Sequence, residues 1–133
     1  MILVTGASGF VGSAVVPELL DAGHVVRSLV RNPHREVPFA GDPRVELFVS
    51  SLDDPRELRA SLVGVQTVLH IESAQRHGGW EELMRVDHVG TRQLLYAASD
   101  IGVRRFVYLS HLGATRASAF PLLRAKGIIE QFV

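Results

Sequence analysis

Three glycines at three-residue spacing, Gly6, Gly9 and Gly12, form a pattern near the N-terminus that suits phosphate binding. They follow the apolar residues 1–4 and precede apolar residues at helical spacing, which predicts a strand, a tight turn and a helix. Unpaired backbone N–H groups and the positive end of the helix dipole would then point at one place, where a pyrophosphate is stabilised. The spacing differs from Gly-x-Gly-x-x-Gly, so an ordinary glycine-rich turn is the alternative.

Few other side chains have the type and spacing for catalysis or metal binding. The sequence has no cysteine, which excludes disulfides and thiolate chemistry. Its six histidines form no His-x-x-x-His or similar pair, so we expect no metal site. His111, which follows the last apolar strand, could donate a proton near neutral pH, or it could be a loop residue bonded to the backbone.

The composition disfavours several classes of protein. Fourteen basic and fourteen acidic side chains balance, so we expect neither a nucleic acid partner nor an anionic membrane surface. No apolar run reaches the roughly 18 residues of a membrane-spanning helix, and the sequence starts in a core strand instead of a signal peptide. We therefore expect a cytoplasmic enzyme or ligand-binding domain.

Apolar strands and helical patterns alternate along the chain. The order predicts an α/β fold, a Rossmann-type doubly wound parallel sheet in three α/β/α layers. The expected strand order 3-2-1-4-5 places a crevice between the first and fourth strands, beside the glycines. Pro17 predicts a bend in the first helix, and Asp54 a helix start. The predicted strands are residues 1–4, 24–30, 45–49, 66–71 and 105–109, and the predicted helices are residues 10–21, 55–62, 80–101 and 121–133.

Four stretches together resemble the extended and atypical branches of the short-chain dehydrogenase/reductase superfamily, which include NAD-dependent epimerases and dehydratases. They are residues 5–12, 86–98 and 102–110 and the helix around Lys126. The sequence is most similar to atypical NAD(P)H-binding proteins, such as NmrA-like regulators and the accessory subunit of respiratory complex I. This resemblance implies a Rossmann fold and a bound nicotinamide dinucleotide, often without demonstrated turnover. The first stretch would bind it through Gly6, Ser8, Gly9, Phe10, Val11 and Gly12.

The residues after the second strand bear on which dinucleotide is bound. NAD enzymes usually carry an Asp or Glu about 20 residues past the glycines. Here Arg31 stands nineteen positions after Gly12, with Arg35 close by. A guanidinium can hold a 2′-phosphate through charge-assisted hydrogen bonds, whereas a carboxylate would repel it. We therefore expect NADP(H). NAD(H) is the alternative if these arginines only form a solvated loop.

The resemblance implies further cofactor contacts after the third and fourth strands. Ser51 and Leu52 stand where extended relatives carry an Asp-Leu pair facing the adenine, so a hydroxyl contact is implied. Ser73 lies where relatives have small residues at the nicotinamide end. The preceding Glu72 is either a solvated carboxylate or a polar group at the mouth of a substrate site.

The standard hydride chemistry of the superfamily does not fit this sequence well. These enzymes use a Tyr as acid and base, a Lys four residues later, and a Ser that polarises the carbonyl. Lys126 matches the lysine that holds the nicotinamide ribose, but Leu122 occupies the tyrosine position. Leu112 stands where extended relatives carry the catalytic hydroxyl, although Ser110 is close, and Asp87 replaces the Asn of the family.

The remaining catalytic candidates are therefore Lys126, Ser110 and His111, and Lys126 could also be an ordinary surface lysine. We expect a dinucleotide-binding protein without Tyr-based hydride transfer. The alternative is an active NADP-dependent oxidoreductase, or an epimerase-like or dehydratase-like enzyme, with a different proton donor.

Residues 1–133 amount to one domain and lack the further strands and the C-terminal substrate domain of extended relatives. Without a sixth strand, the fifth strand would be an exposed sheet edge. We expect either a truncated chain or a small protein that covers this edge by forming a homo-oligomer. We expect a small-molecule substrate, which extended relatives would contact through that C-terminal domain.

Overall fold

The computed structural model describes residues 1–32, 37, 39–74 and 79–133. Five strands in these ranges form one parallel sheet in the order β3-β2-β1-β4-β5, which confirms the predicted topology. The strands are β1 (Ile2–Thr5), β2 (Val26–Val30), β3 (Val45–Val49), β4 (Thr67–His70) and β5 (Arg105–Tyr108). The helices are α1 (Phe10–Asp21), α2 (Pro55–Ser61), α3 (Trp80–Leu83), a π-helical segment (Met84–Gly90), α4 (Thr91–Ile101) and α5 (Pro121–Ile129).

The central strand β1 joins the two apolar layers of the fold. Leu3 and Val4 are both fully buried, because successive side chains of a strand point to opposite faces of the sheet. Val4 packs with Val16 of α1 on one face. Leu3 packs on the other face with residues of α2 and α4, among them Leu94. The predicted three-layer arrangement is therefore confirmed, with the glycines directly after this central strand.

The helical region predicted as one helix over residues 80–101 has three parts, and this corrects the prediction. A π-helical segment, Met84–Gly90, separates α3 from α4. In a π-helix the backbone N–H bonds to the carbonyl five residues earlier instead of four. The apolar spacing of three and four residues is that of an α-helix, so the periodicity did not reveal the wider turns of this segment. The segment buries the side chains of Val86 and Asp87.

Several predicted boundaries are wrong by a few residues. The strand predicted from residue 24 begins at Val26, because Gly23 has a positive φ of 82° and ends the preceding helix, with the His24 N–H bonded to the Leu19 carbonyl. The last helix, predicted to residue 133, ends at Ile129 and is followed by turns. No helix in the described ranges is long and apolar enough to cross a membrane.

Asp54 caps α2 as predicted, and its removal is expected to destabilise the protein. Its carboxylate accepts the N–H groups of Arg56 at 2.9 Å and Glu57 at 3.2 Å. Since such a cap contributes about 1 kcal/mol, Asp54→Ala should lower the free energy of unfolding by that amount, measured by urea denaturation. Asp54→Asn keeps an accepting oxygen and should retain most of the stability. Equal losses for both variants would show that charge, and not the cap, is responsible.

Candidate functional site

The carboxyl ends of β1, β2, β4 and β5 meet at a cleft of ≈ 880 Å³. Parallel strands bring their carboxyl ends to one edge of the sheet, and the strand order reverses beside β1, where such folds bind ligands. Most of the predicted site residues line this cleft, namely Gly6, Ser8, Gly9, Phe10, Val11, Arg31, Ser73, Ser110, His111 and Lys126. Arg35 lies outside the described residues.

The glycine turn, residues 6–12, brings α1 close to the sheet. Gly6 has a positive φ of 75°, and a Cβ added to it would lie 2.8 Å from the Glu72 nitrogen. A Cβ on Gly12 would lie 2.3 Å from the Gly6 carbonyl oxygen and 2.6 Å from the Ala7 Cα. Backbone atoms cannot move aside as the end of a side chain can. Only glycine therefore fits at these two positions.

The N-terminus of α1 is open toward the cleft. Its N-cap residue is Gly9, no side chain of the described residues caps it, and its first turn carries no acidic residue. Phe10 and Val11, which begin the helix, line the cleft, and the Phe10 side chain is 81% exposed. This differs from α2, where Asp54 occupies the first-turn N–H groups. The start of α1 thus offers unoccupied donors and a positive dipole end, which fits a phosphate group.

Arg31 and Glu72 form an ion pair at the wall of the cleft. The Arg31 Nε lies 3.0 Å from the Glu72 Oε1, and the side chains are 50% and 11% exposed, respectively. The interpretation of Glu72 as a solvated carboxylate is therefore wrong. Its burial raises the pKa of the carboxyl, while Arg31 lowers it. Glu72 is instead a buried charge beside the glycine turn.

Lys126 is buried at the base of the cleft, so the surface-lysine alternative is wrong. Its Nζ donates to the Leu109 carbonyl at 3.0 Å and lies 3.5 Å from the Tyr108 hydroxyl. The Asp87 Oδ1 is 3.8 Å from this Nζ. Burial lowers the pKa of Lys126, and the carboxylates of Asp87 and Glu130 oppose that effect.

Asp87, at the position of the family's Asn, is the buried counter-ion of this lysine. One carboxylate oxygen accepts the Ala74 N–H at 2.8 Å. The other, which faces Lys126, has no hydrogen-bond partner among the described residues. A negative charge of this kind is favourable only beside a cation. The negative charge of Asp87 is thus balanced by the neighbouring Lys126. The sequence alone did not indicate this pair.

Tyr108 places a phenol next to Lys126, although the spacing of the two residues in the sequence did not predict this contact. The alternation of side chains along β5 puts Phe106 and Tyr108 on one face of the sheet, and this alternation could have indicated the position of the phenol. The Tyr108 ring stacks on His70, with the ring centroids 5.8 Å apart. Tyr108 does not belong to the described residues that line the cleft. Burial, Asp87 and Glu130 raise the pKa of the phenol, which does not suit it to proton transfer.

The other catalytic candidates occupy the end of β5. The Ser110 hydroxyl donates to the Glu130 carboxylate. The His111 ring is exposed and its Nδ1 donates to the Leu112 carbonyl at 2.9 Å, as in the backbone-bonded alternative. Leu122 is half-buried on α5 and carries no proton to transfer. In the part of the chain that the structure describes, no group of three or more His, Cys, Asp or Glu side chains could hold a metal ion.

The loop after β3 does not place its predicted residues in the cleft. Leu52 is 3% exposed and packs in the core, where a Cβ on Gly90 would lie 2.7 Å from its Cβ. The Ser51 hydroxyl accepts the Asp53 N–H at 3.2 Å. Neither Ser51 nor Leu52 is among the described residues lining the cleft. The hydroxyl contact with adenine that the resemblance implies at Ser51 and Leu52 stays a prediction.

A buried polar network beneath the glycine turn was missed by the sequence analysis. The Thr5 hydroxyl lies 2.6 Å from the His70 Nδ1, and the His70 Nε2 lies 2.8 Å from the Thr91 hydroxyl. Because the Glu72 N–H donates to the Thr5 hydroxyl, that hydroxyl can donate to Nδ1, leaving the Nε2–H to donate to Thr91. Burial and Lys126 lower the pKa of His70 to about 3. The position of His70 inside an apolar strand was the feature of the sequence that could have indicated this network.

Sequence comparison places the chain among dinucleotide-binding proteins. A model of the family described as NAD(P)H-binding matches residues 6–131. Cinnamoyl-CoA reductase 1 of Oryza sativa subsp. japonica is 38% identical over 120 residues, which are 86% of this chain and 35% of that protein. The photosystem II assembly factor Ycf39 of Cyanophora paradoxa is 32% identical over 132 residues, which are 99% of this chain and 40% of that protein.

A solved structure with a bound dinucleotide shares the fold. A short-chain dehydrogenase/reductase superfamily protein from Agrobacterium tumefaciens, solved with bound NAD, superimposes with a TM-score of 0.80 at 34% identity, over 99% of this chain and 43% of that one. The chain thus spans less than half the length of these relatives. The resemblance stated from the sequence is confirmed, and the chain belongs to the NAD(P)H-binding family of short-chain dehydrogenase/reductase-like proteins.

Proposed function

We propose that this domain binds NADP(H) in the cleft at the carboxyl end of the sheet and does so without the Tyr-based hydride transfer of its relatives. The observation that carries the proposal is the open N-terminus of α1 behind the glycine turn. A pyrophosphate there would receive backbone N–H groups and the helix dipole. Gly6, Gly9 and Gly12 allow the backbone to approach it, and Ser8 adds a hydroxyl on the same wall.

The adenosine end of the ligand would lie toward Arg31 at the end of β2. The Arg31 guanidinium lines the cleft and is half exposed, so it can turn toward a ligand. A 2′-phosphate would bind it through charge-assisted hydrogen bonds, which supports NADP(H) over NAD(H). Arg35 follows four residues later, and we expect it to contribute to the binding of the same 2′-phosphate.

The nicotinamide end would lie toward Lys126, where the ends of β4 and β5 complete the cleft. When bound, the dinucleotide supplies a hydride carrier. The ammonium of Lys126 keeps donors beyond its bond to the Leu109 carbonyl, and these could hold a ribose hydroxyl. Ser73 and Ser110 line the same region. Lys126 therefore positions the ligand, and its charge is balanced by Asp87.

The cleft holds no phenol to act as acid and base among the described residues that line it. Leu122 cannot transfer a proton, and the Ser110 hydroxyl donates to Glu130. His111 favours a second function, an active oxidoreductase or epimerase-like enzyme, because it lines the cleft and its Nδ1–H bond directs the ring. Consumption of NADPH with quinones, carbonyls or nucleotide sugars that is lost in His111→Ala would support this alternative.

Calorimetric titration of NADPH, NADH, NADP and NAD tests the proposed function. We expect NADPH to bind more tightly than NADH, and Arg31→Ala to weaken NADPH about tenfold while changing NADH little, because only NADPH carries the 2′-phosphate. Arg56→Ala on α2 removes the same charge from an exposed position away from the cleft and is the matched control. Equal affinities for NADPH and NADH, unchanged in Arg31→Ala, would contradict the preference.

Three further expectations stay predictions. They are that residues 1–133 function as one domain, that the chain forms a homo-oligomer through the edge at β5, and that it works in the cytoplasm. Val107 and Leu109, at that edge, are each 41% exposed, which supports a covering partner there.

A further inference from the structure

We infer that Glu72 determines how strongly the cleft discriminates between a dinucleotide with a 2′-phosphate and one without it. The inference rests on the proposed function, since it places that phosphate at Arg31. Glu72 holds the Arg31 guanidinium and competes with the phosphate for it. The wild-type preference for NADP(H) is accordingly weaker than Arg31 alone would produce.

The backbone of Glu72 is held against the glycine turn. Its nitrogen would lie 2.8 Å from a Cβ on Gly6, and its N–H donates to the Thr5 hydroxyl at 3.3 Å. Thr5 in turn is part of the buried network with His70. The carboxylate therefore projects from a fixed point of the cleft wall. It cannot withdraw when a ligand binds beside it, as the side chain of a flexible loop could.

The two partners of the ion pair differ in their freedom to move. The Glu72 side chain is 11% exposed, whereas the Arg31 side chain is 50% exposed. Arg31 can thus turn from Glu72 to a bound phosphate, and Glu72 then loses the cation that balances it. An unbalanced buried carboxylate is unfavourable, and it also repels the incoming phosphate. The unbalanced carboxylate and its repulsion of the phosphate both weaken the binding of a ligand whose phosphate takes Arg31 away from Glu72.

The other charges around Glu72 do not replace Arg31. Asp87 and Asp53 are negative and raise the pKa of its carboxyl, while the cation Arg85 lowers it. Arg85 is itself paired with Asp53 and Glu82. Among the residues that the structure describes, Arg31 is the strongest of the charges that stabilise the Glu72 carboxylate. Breaking this pair is therefore a real part of the free energy of binding a 2′-phosphate.

The test is the ratio of the NADH and NADPH dissociation constants, measured by calorimetry for the wild type and for Glu72→Gln. Gln has nearly the same shape without the charge, so we expect the ratio to rise roughly tenfold in favour of NADPH. NADH should gain less, because only its pyrophosphate is near the removed charge. Glu57→Gln on α2 is the matched control and should leave the ratio unchanged.

A second pair of variants shows whether Glu72 acts through Arg31. In Arg31→Ala, adding Glu72→Gln should raise the ratio much less than it does in the wild type, since no guanidinium remains to be released and only the repulsion between Glu72 and the phosphate is relieved. A rise of the same size in that background would overturn the inference. Glu72→Ala repeats the test with a second side chain, and thermal unfolding checks that each variant is folded.

The outcomes separate this inference from the function on which it rests. Binding of NADPH and NADH with a ratio unchanged in both Glu72→Gln and Glu72→Ala overturns the role of Glu72 alone. No binding of either dinucleotide to the wild type or to Glu72→Gln overturns the proposed function, and the inference with it.

Discussion

Replacing Gly12 by alanine is expected to abolish dinucleotide binding. The added Cβ would lie 2.3 Å from the Gly6 carbonyl oxygen and 2.6 Å from the Ala7 Cα, so α1 must move away from the turn. That movement displaces the open helix N-terminus, on which the proposed pyrophosphate site depends. We expect at least roughly a hundredfold loss of NADPH affinity by calorimetry, together with a lower free energy of unfolding of about 1–3 kcal/mol from overpacking.

Two other glycines provide controls for this variant. A Cβ on Gly41 meets nothing within 4 Å, so Gly41→Ala should preserve both affinity and stability. Gly23 also has open space around it, but its φ is 82°. Gly23→Ala should therefore destabilise the protein by about 1 kcal/mol without weakening the binding of NADPH. Wild-type affinity in Gly12→Ala would show that the close contact of α1 with the turn does not matter for binding.

The sequence predicts the sheet and the glycine turn well because the responsible signals are local. Apolar runs between helical patterns allow few topologies once right-handed crossovers are required, and the observed order β3-β2-β1-β4-β5 is among them. Gly6 and Gly12 mark a turn that needs residues without a Cβ. The Asp54 cap depends only on the next three residues. The glycine turn and the Asp54 cap are each decided within a short stretch of chain.

The contacts that define the site could not be predicted, because they join residues far apart in sequence. Thr5 and His70 are 65 positions apart, and Tyr108 and Lys126 are 18 apart. Strand alternation indicates which side of the sheet a residue occupies, but not which buried partner its side chain meets. The ion pair of Arg31 and Glu72 is of the same kind. Without it, the sequence leaves Glu72 open between a solvated carboxylate and a polar group at the mouth of a substrate site.

The pair of Lys126 and Asp87 gives a physical reason for the proposal that this domain lacks Tyr-based hydride transfer. In the standard arrangement, the lysine charge lowers the pKa of a nearby phenol. Here Asp87 lies 3.8 Å from the Lys126 Nζ and balances that charge. The pKa of the adjacent Tyr108 phenol is raised instead, by burial first and by Asp87 next. The charge balance of this site therefore suits holding a ligand more than transferring a proton.

The stability of the protein is expected to fall steeply as the pH drops below 6.5, because His70 is buried in its neutral form. The fold lowers its pKa from 6.5 to about 3, so between these values the unfolded chain binds a proton that the folded chain does not. Linkage then lowers the free energy of unfolding by about 1.4 kcal/mol for each pH unit well below 6.5. Below about 3 both states are protonated, and this contribution stops changing.

Urea denaturation between pH 7 and pH 5 avoids most of the titration of Asp42 and Glu82, whose pKa is lowered from ordinary values of 3.8 and 4.5. The lowered pKa of His88 acts in the same direction as that of His70, and the raised pKa of Glu72 acts in the opposite direction, so the comparison of His70→Gln with the wild type isolates His70. We expect His70→Gln to lose roughly 1–3 kcal/mol at pH 7, because its amide cannot bond both Thr5 and Thr91 in the same geometry. Its stability should then change much less on acidification than that of the wild type. His24→Gln, at an exposed position, should keep the wild-type slope.

An equal slope in His70→Gln and the wild type would mean that another group takes up the proton on unfolding. The acid sensitivity of the fold would then not come from the polar network beneath the glycine turn.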